Sequence, residues 1–363
     1  MTTLADPLTF EHGPAMPNRI MLAPLTNEQS HDDGTLSDAE FHWLTMRARG
    51  GFGLTMTCAA HVQQQGQGFK GQLGIFADRH LDGLMRLADA INEQGGLSAV
   101  QLHHAGMRSK RELTHMDVVS PWDDEAKGVR AMTTAEVEDS IDAFAAAACR
   151  AERAGFHGVE IHGAHGYLVA QFLNADRNLR EDGYGGSYEG RTRFLKSIIA
   201  EIRARTGASF QLGLRLSPER YGVTLGQARR LAGEVMAEGL LDYLDMSLWD
   251  VFKLPAEEEA LPADQRGKPL IAHFTELPRG KTRLGVAGKV MTSKDALACL
   301  SMGADFVLVG KGAVLHHDFA RRALSDAEFR PIPGPVSAEY LASEGLSPGF
   351  IRYMAQWPDI ITL

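Results

Sequence analysis

The chain has 363 residues, 44% hydrophobic and 23% charged, enough apolar material to bury a core without disulfide staples. Forty-six acidic side chains against 37 Lys+Arg leave a net charge of −9, which argues against the basic face that non-specific nucleic-acid binding needs. Cys58, Cys149 and Cys299 are scattered and form no CxxC pair, which argues against cysteine-ligated zinc or iron–sulfur sites. The N-terminal MTTLADPLTFEHG lacks the charged and apolar regions of a secretory signal, and no run of ~18 apolar residues suggests a membrane span. The expectation is a cytoplasmic chain.

Taken in order, short apolar runs alternate with amphipathic stretches. The first run is RIMLAPL (19–25), followed by a helix signalled by the capping spacing of Ser37 and Glu40. Next come GLTMTCA (53–59) with a helix over 79–94, and LSAVQL (97–102) with a long loop over 103–133. Thr133 and Glu136 cap a helix over 134–154, where Val137, Ile141, Phe144, Ala145 and Ala148 share one face. GVEIH (158–162) precedes a helix over 188–206, and FQLGLRL (210–216) precedes one opened by Thr224 and Gln227. DYLDMSL (242–248) runs into a second long loop over 248–282. RLGVAG (283–288) and DFVLVG (305–310) lead to helices over 293–301 and 312–323.

Runs this short and rich in Val, Ile and Leu suit strands buried on both faces. Eight of them, each followed by a helical segment, predict a (β/α)8 TIM barrel. A doubly wound open sheet is the alternative. It would carry a glycine-rich dinucleotide turn after its first strand, and here that strand ends Ala23-Pro24-Leu25-Thr26. No Pro/Ser-rich linker divides the chain, so residues 1–363 are expected to form one domain, with 331–363 as a C-terminal extension. The extension's apolar pattern around Phe350, Tyr353 and Trp357 reads as a helix capping its own barrel; a contact with a neighbouring subunit is the alternative.

The densest chemistry is His162-Gly163-Ala164-His165-Gly166-Tyr167 at the end of the fourth strand. HxxH could bind a metal, but no acidic or cysteine ligand stands at a compelling spacing, so none is expected. The other reading is two imidazoles donating to one substrate oxygen beside a phenol, which holds its proton at neutral pH and can yield it to a carbanion. Gln101 ends the third strand, and its amide suits the N–H and C=O edge of a heterocycle. Arg215 stands inside an apolar strand and must be paired, with an internal carboxylate or an anionic ligand. Gly288-Lys289 and Gly310-Lys311 follow the seventh and eighth strands, where barrels often hold phosphate.

Together these residues resemble the old yellow enzyme family of FMN-dependent ene-reductases. The likeness runs in order through NRIMLAPLT (18–26), AVQLHHAG (99–106), GVEIHGAHGYLVAQFL (158–173), DGYGGSYEGRTRF, LRLS (214–217) and the two glycine turns. It implies non-covalent FMN at the barrel mouth and NADH or NADPH as hydride donor. Pro24, Leu25, Thr26, Ala59, Gln101 and Arg215 match positions around the flavin ring, and Gly288, Lys289, Gly310 and Lys311 match the phosphate end. His162 and His165 would polarise the carbonyl or nitro oxygen of an activated alkene, and Tyr167 would protonate it. Family members usually carry Arg where Lys311 stands and Gly where Lys289 stands. Larger relatives add an iron–sulfur cluster and a second flavin domain, so this chain looks like the single-domain form. Some relatives oligomerise, so a homo-oligomer is an open expectation. Two alternatives remain: a flavin-free lyase or isomerase acting on a phosphorylated small molecule, and a non-catalytic flavin-binding barrel.

Overall fold

The computed structural model describes residues 2–362. The eight apolar runs are the eight strands of a closed parallel barrel: β1 (Ile20–Leu22), β2 (Leu54–His61), β3 (Leu97–His103), β4 (Gly158–Gly163), β5 (Gln211–Leu216), β6 (Tyr243–Ser247), β7 (Arg283–Ala287) and β8 (Phe306–Val309). Each strand pairs with its chain neighbours, and β8 closes on β1 through Met21 opposite Leu308. Every pairing is parallel, so all strand C-terminal ends, and the loops they feed, gather at one mouth.

The lower barrel is filled by side chains. Tyr243 and Phe306 cross edge-on there with centroids 5.7 Å apart. Two glycines make room for them: a Cβ on Gly213 would lie 2.1 Å from the Tyr243 ring, and one on Gly285 would lie 2.3 Å from Phe306. Below them the chain start pairs Leu8 with Met16 and closes the floor.

The expected helices form over Asp38–Arg49, Leu81–Asn92, Thr134–Arg153, Tyr188–Arg205, Leu225–Ala237 and Ser293–Ser301. Thr133/Glu136 and Thr224/Gln227 close complete capping boxes. Ser37 caps only one way. Its hydroxyl accepts from the Glu40 N–H, but the Glu40 carboxylate is buried and bonds Asn27 and Ser30 in the loop after β1. The carboxylate that spacing assigns to the cap is spent on bracing a loop at the barrel mouth.

Two expectations need correction. The helix over 312–323 is two, Lys311–Leu315 and Phe319–Ser325, because His316 leaves the helix in extended backbone. The segment after β6 carries only the one-turn helix Ala272–Thr275 beyond short 3-10 turns. Within the loop over 103–133, whose conformation the sequence leaves open, Val118–Ser120 and Val129–Ala131 pair in a small two-stranded sheet. Those strands are too short to give a periodic signal.

The tail folds back on its own barrel. Val336 N–H donates to Ile360 O at 2.8 Å, and Phe350 packs edge-on to Trp43 at 4.8 Å. Helix Pro348–Met354 thereby sits at the barrel mouth. Among the described residues, no helix is long and apolar enough to cross a membrane.

Candidate active site

All the site residues expected from the sequence line one cavity of about 650 Å³ at the barrel mouth: Pro24, Leu25, Thr26, Ala59, Gln101, His162, His165, Tyr167, Arg215, Gly288, Lys289, Gly310 and Lys311. Its size falls within the ~300–1,000 Å³ typical of small-molecule sites.

Residue parity explains the inner wall. Successive strand residues point to opposite faces, so Glu160 and His162 on β4, Gly213 and Arg215 on β5, and Tyr243, Asp245 and Ser247 on β6 each share a face. Register then sets Gln101 beside Glu160 and Arg215 beside Asp245. The Gln101 amide donates to Glu160 at 2.8 Å. Arg215 Nε lies 3.0 Å from Asp245, an ion-pair distance without hydrogen-bond alignment. Arg215 thus has its internal carboxylate and still faces the cavity, so both expected partners are available to it. Burial, and then the neighbouring Asp245 charge, push Glu160 up to about 8. Burial raises Asp245 to about 6 against the pull of Arg215. One cation therefore faces two acids, and burial holds both carboxyls above the ordinary carboxylate range.

The histidines form a relay. Ala164 N–H donates to His162 Nδ1 at 3.3 Å, which leaves the neutral ring's proton on Nε2. That atom lies 3.3 Å from His165 Nδ1, and His165 Nε2 lies 2.8 Å from Ser247 Oγ. Both rings are neutral: burial holds His162 well below the usual histidine range, and burial with the Arg215 and Arg108 charges lowers His165 to about 3. Tyr167 opens the short helix Leu168–Leu173. Its ring packs edge-on to His103 at 4.3 Å and His162 at 5.0 Å, and Arg108 covers it at 4.5 Å. Among the described residues no three His, Cys, Asp or Glu side chains converge as metal ligands.

Burial of neutral histidines sets an acid limit on stability. His103 and His162 are held well below 6.5, and His104 and His165 near 3, chiefly by desolvation. Since their folded-state values are depressed, the unfolded chain binds protons that the folded chain refuses. The stability they support is present above about 6.5 and lost as pH falls below it, at up to about 1.4 kcal/mol per pH unit for each ring. Thermal midpoints measured from pH 7.5 to 5.0 are expected to fall progressively steeply below 6.5, with proton uptake on unfolding.

At the other end, Lys289 pairs with Asp250 at 3.0 Å and Lys311 with Asp359 at 2.7 Å. Lys289 adopts φ 53°, a left-handed conformation that glycine takes without a Cβ penalty. His165, Tyr221 and Trp249 also line the cavity with positive φ. Such strain gathers where surrounding structure must hold a site in shape.

Sequence reasoning missed several lining residues. Arg108, Tyr221 and Ser247 face the cavity, as do Tyr353, Met354 and Trp357 from the tail. Ser247 and the supporting Glu160 and Asp245 were findable from period-two parity with Tyr243 and His162. The tail's aromatic pattern announced a packed helix but not where it would dock.

A closed parallel barrel with a lined cavity at its strand ends is the layout of a small-molecule enzyme, and the comparisons with known proteins give its class. The family model for "NADH:flavin oxidoreductase / NADH oxidase family" matches residues 3–327. The chain is 38% identical over 319 residues to "Probable NADH-dependent flavin oxidoreductase YqiG" of Bacillus subtilis, covering 85% of this chain and 84% of that one. It is 33% identical to an NADH:acrylate oxidoreductase of Vibrio harveyi, covering 92% of this chain but 34% of that larger protein. A crystal structure of an old yellow enzyme homologue from Zymomonas mobilis superposes with TM-score 0.79 at 26% identity, covering 97% and 99% of the two chains. The chain belongs to the NADH:flavin oxidoreductase / NADH oxidase family, the old yellow enzymes. It is an NAD(P)H-dependent flavin oxidoreductase whose cofactor is FMN.

The residues present fit that cofactor. The cavity offers apolar walls at Pro24, Leu25 and Ala59, an amide and a guanidinium at one end, and two lysines at the other. A Cβ on Gly310 would meet nothing closer than 3.4 Å, so the protein's own packing does not demand glycine there; a Cβ would instead take space in the cradle.

Proposed function

We propose that this enzyme reduces the C=C bond of activated alkenes, α,β-unsaturated carbonyl or nitro compounds, at the expense of NADH or NADPH. The carrying observation is the convergence of two neutral imidazoles and a phenol on one cavity with the Gln101 amide and Arg215. The Vibrio harveyi relative, named for acrylate, supports the substrate class. FMN, when bound, supplies the two-electron transfer from nicotinamide to alkene.

The chain's own residues do the rest. Thr26, Gln101 and Arg215 hold the polar edge of the ring, with Pro24, Leu25 and Ala59 as its apolar bed. Arg215 would set a positive charge against the ring and so favour its reduced, more negative form. Gly288, Lys289, Gly310 and Lys311 receive the phosphate, the lysines exchanging Asp250 and Asp359 for it. His162 and His165 donate N–H groups to the carbonyl or nitro oxygen, stabilising the enolate-like charge that develops there. For this, His162 Nε2–H and His165 Nε2–H turn from His165 and Ser247 toward the substrate oxygen. Tyr167 delivers its phenolic proton to Cα.

Phenols mimic the enolate and report on the histidine pair without turnover. In the FMN-loaded protein, His162→Ala is expected to weaken 4-hydroxybenzaldehyde binding at least about tenfold, the loss of one charge-assisted hydrogen bond. Titration of the flavin absorbance measures it; unchanged affinity removes His162 from the oxygen site.

A further inference from the structure

Four cations line the cavity, Arg108, Arg215, Lys289 and Lys311, and among the described residues no aspartate or glutamate does. This imbalance stands in a chain of net charge −9. Three of the four are backed by carboxylates, Asp245 at 3.0 Å, Asp250 at 3.0 Å and Asp359 at 2.7 Å. Those three also have work in holding FMN. Arg108 has neither a carboxylate partner among the described residues nor a part in the cofactor site.

Arg108 is nonetheless held. It rises from the turn Gly106–Arg108 after β3, donates to the main-chain oxygen of His165 at 2.6 Å, and lies over the Tyr167 ring at 4.5 Å. Both contacts orient the guanidinium and neither neutralises it. Its charge also reaches Tyr221 and Tyr353, whose side chains line the same end of the cavity. A solvent-exposed guanidinium with no carboxylate partner among the described residues, oriented by His165 and Tyr167 beside phenols, is a donor set for a carboxylate.

We propose that Arg108 is the counter-ion for a carboxylate carried by the alkene. On the alkene reading above, the natural substrate class is then an alkenoate. Its activating carbonyl takes His162 and His165, and a separate acid group lies against Arg108 beside Tyr167.

The test uses FMN-loaded wild type, Arg108→Gln and Arg108→Lys. Dissociation constants for 3- and 4-hydroxybenzoate and for their methyl esters come from flavin absorbance. Wild type is expected to favour acid over ester. Arg108→Gln is expected to lower that acid-to-ester preference about tenfold, and Arg108→Lys to keep part of it. The same ratio taken from kcat/KM for trans-3-acetylacrylate and its methyl ester is expected to fall in parallel, through KM. A binding ratio untouched by Arg108→Gln overturns the proposal. So does a loss confined to NADH or NADPH binding, which assigns Arg108 to a dinucleotide phosphate. Intact acid selectivity in binding, without reduction of either alkene by wild type, refutes the alkene reading and leaves the anion site standing.

Discussion

Tyr167→Phe is expected to slow alkene reduction by roughly 10²–10⁴-fold while flavin bleaching by NADH proceeds at close to the wild-type rate. The phenol is the proposed proton donor and stands beside His162, and its ring is fixed on three sides by His103, His162 and Arg108. Phenylalanine keeps those ring contacts and removes only the O–H. Nicotinamide oxidation needs no proton from this residue, so the two half-reactions separate. Anaerobic stopped-flow absorbance, monitoring bleaching by NADH and recovery with cyclohex-2-enone, measures each rate. Equal slowing of both would mean that Tyr167 shapes the cavity rather than donating a proton.

The second large effect falls on the barrel wall. Arg215→Met is expected to cost the protein about 3–5 kcal/mol of stability, because breaking a buried ion pair leaves its partner charge uncompensated. Asp245 and Glu160 are both fully buried, and Arg215 is the cation that faces them. Without it Asp245 must bind a proton, so its folded-state pKa rises further above the unfolded value. The sign follows: that stability is fully present below the unfolded carboxylate pKa and lost as pH rises through the folded value, so the variant's deficit grows from pH 5 to 9. Thermal midpoints across that range measure it. Adding Asp245→Leu is expected to recover much of the stability, since a hydrophobic replacement of a buried pair is often neutral or better. FMN affinity is expected to stay low in the double variant. Recovery of FMN binding along with stability would mean that Arg215 only balances Asp245.

The barrel was legible because its strands are buried on both faces, which writes them as short apolar runs that loops cannot imitate. The proposed catalytic cluster could be read as one neighbourhood for a different reason: His162, His165 and Tyr167 lie within six residues, so no tertiary knowledge was needed to place them on one cavity. Parts of the site that assemble across the barrel were harder. Gln101 meets Glu160, and Arg215 meets Asp245, through strand register, which composition does not encode. Glu40 sits at capping spacing, yet a buried loop outcompetes the cap for its carboxylate. Tyr353 reaches the cavity from the chain's last helix and Trp357 from just beyond it, and nothing local says which end of a barrel a capping helix will choose. Lys289 carries a signal visible only with backbone angles: its φ of 53° lies in the left-handed region that favours glycine.

On the proposed function, electrons taken from nicotinamide leave through an activated alkene. Sequential anaerobic mixing tests it most directly, with NADH added first to the FMN-loaded protein and cyclohex-2-enone second. NADH is expected to bleach the flavin absorbance, the enone to restore it with saturable dependence on enone concentration, and cyclohexanone to form in equal amount. Flavin that stays bleached with enones and nitroalkenes alike, and recovers only when oxygen is admitted, would contradict it.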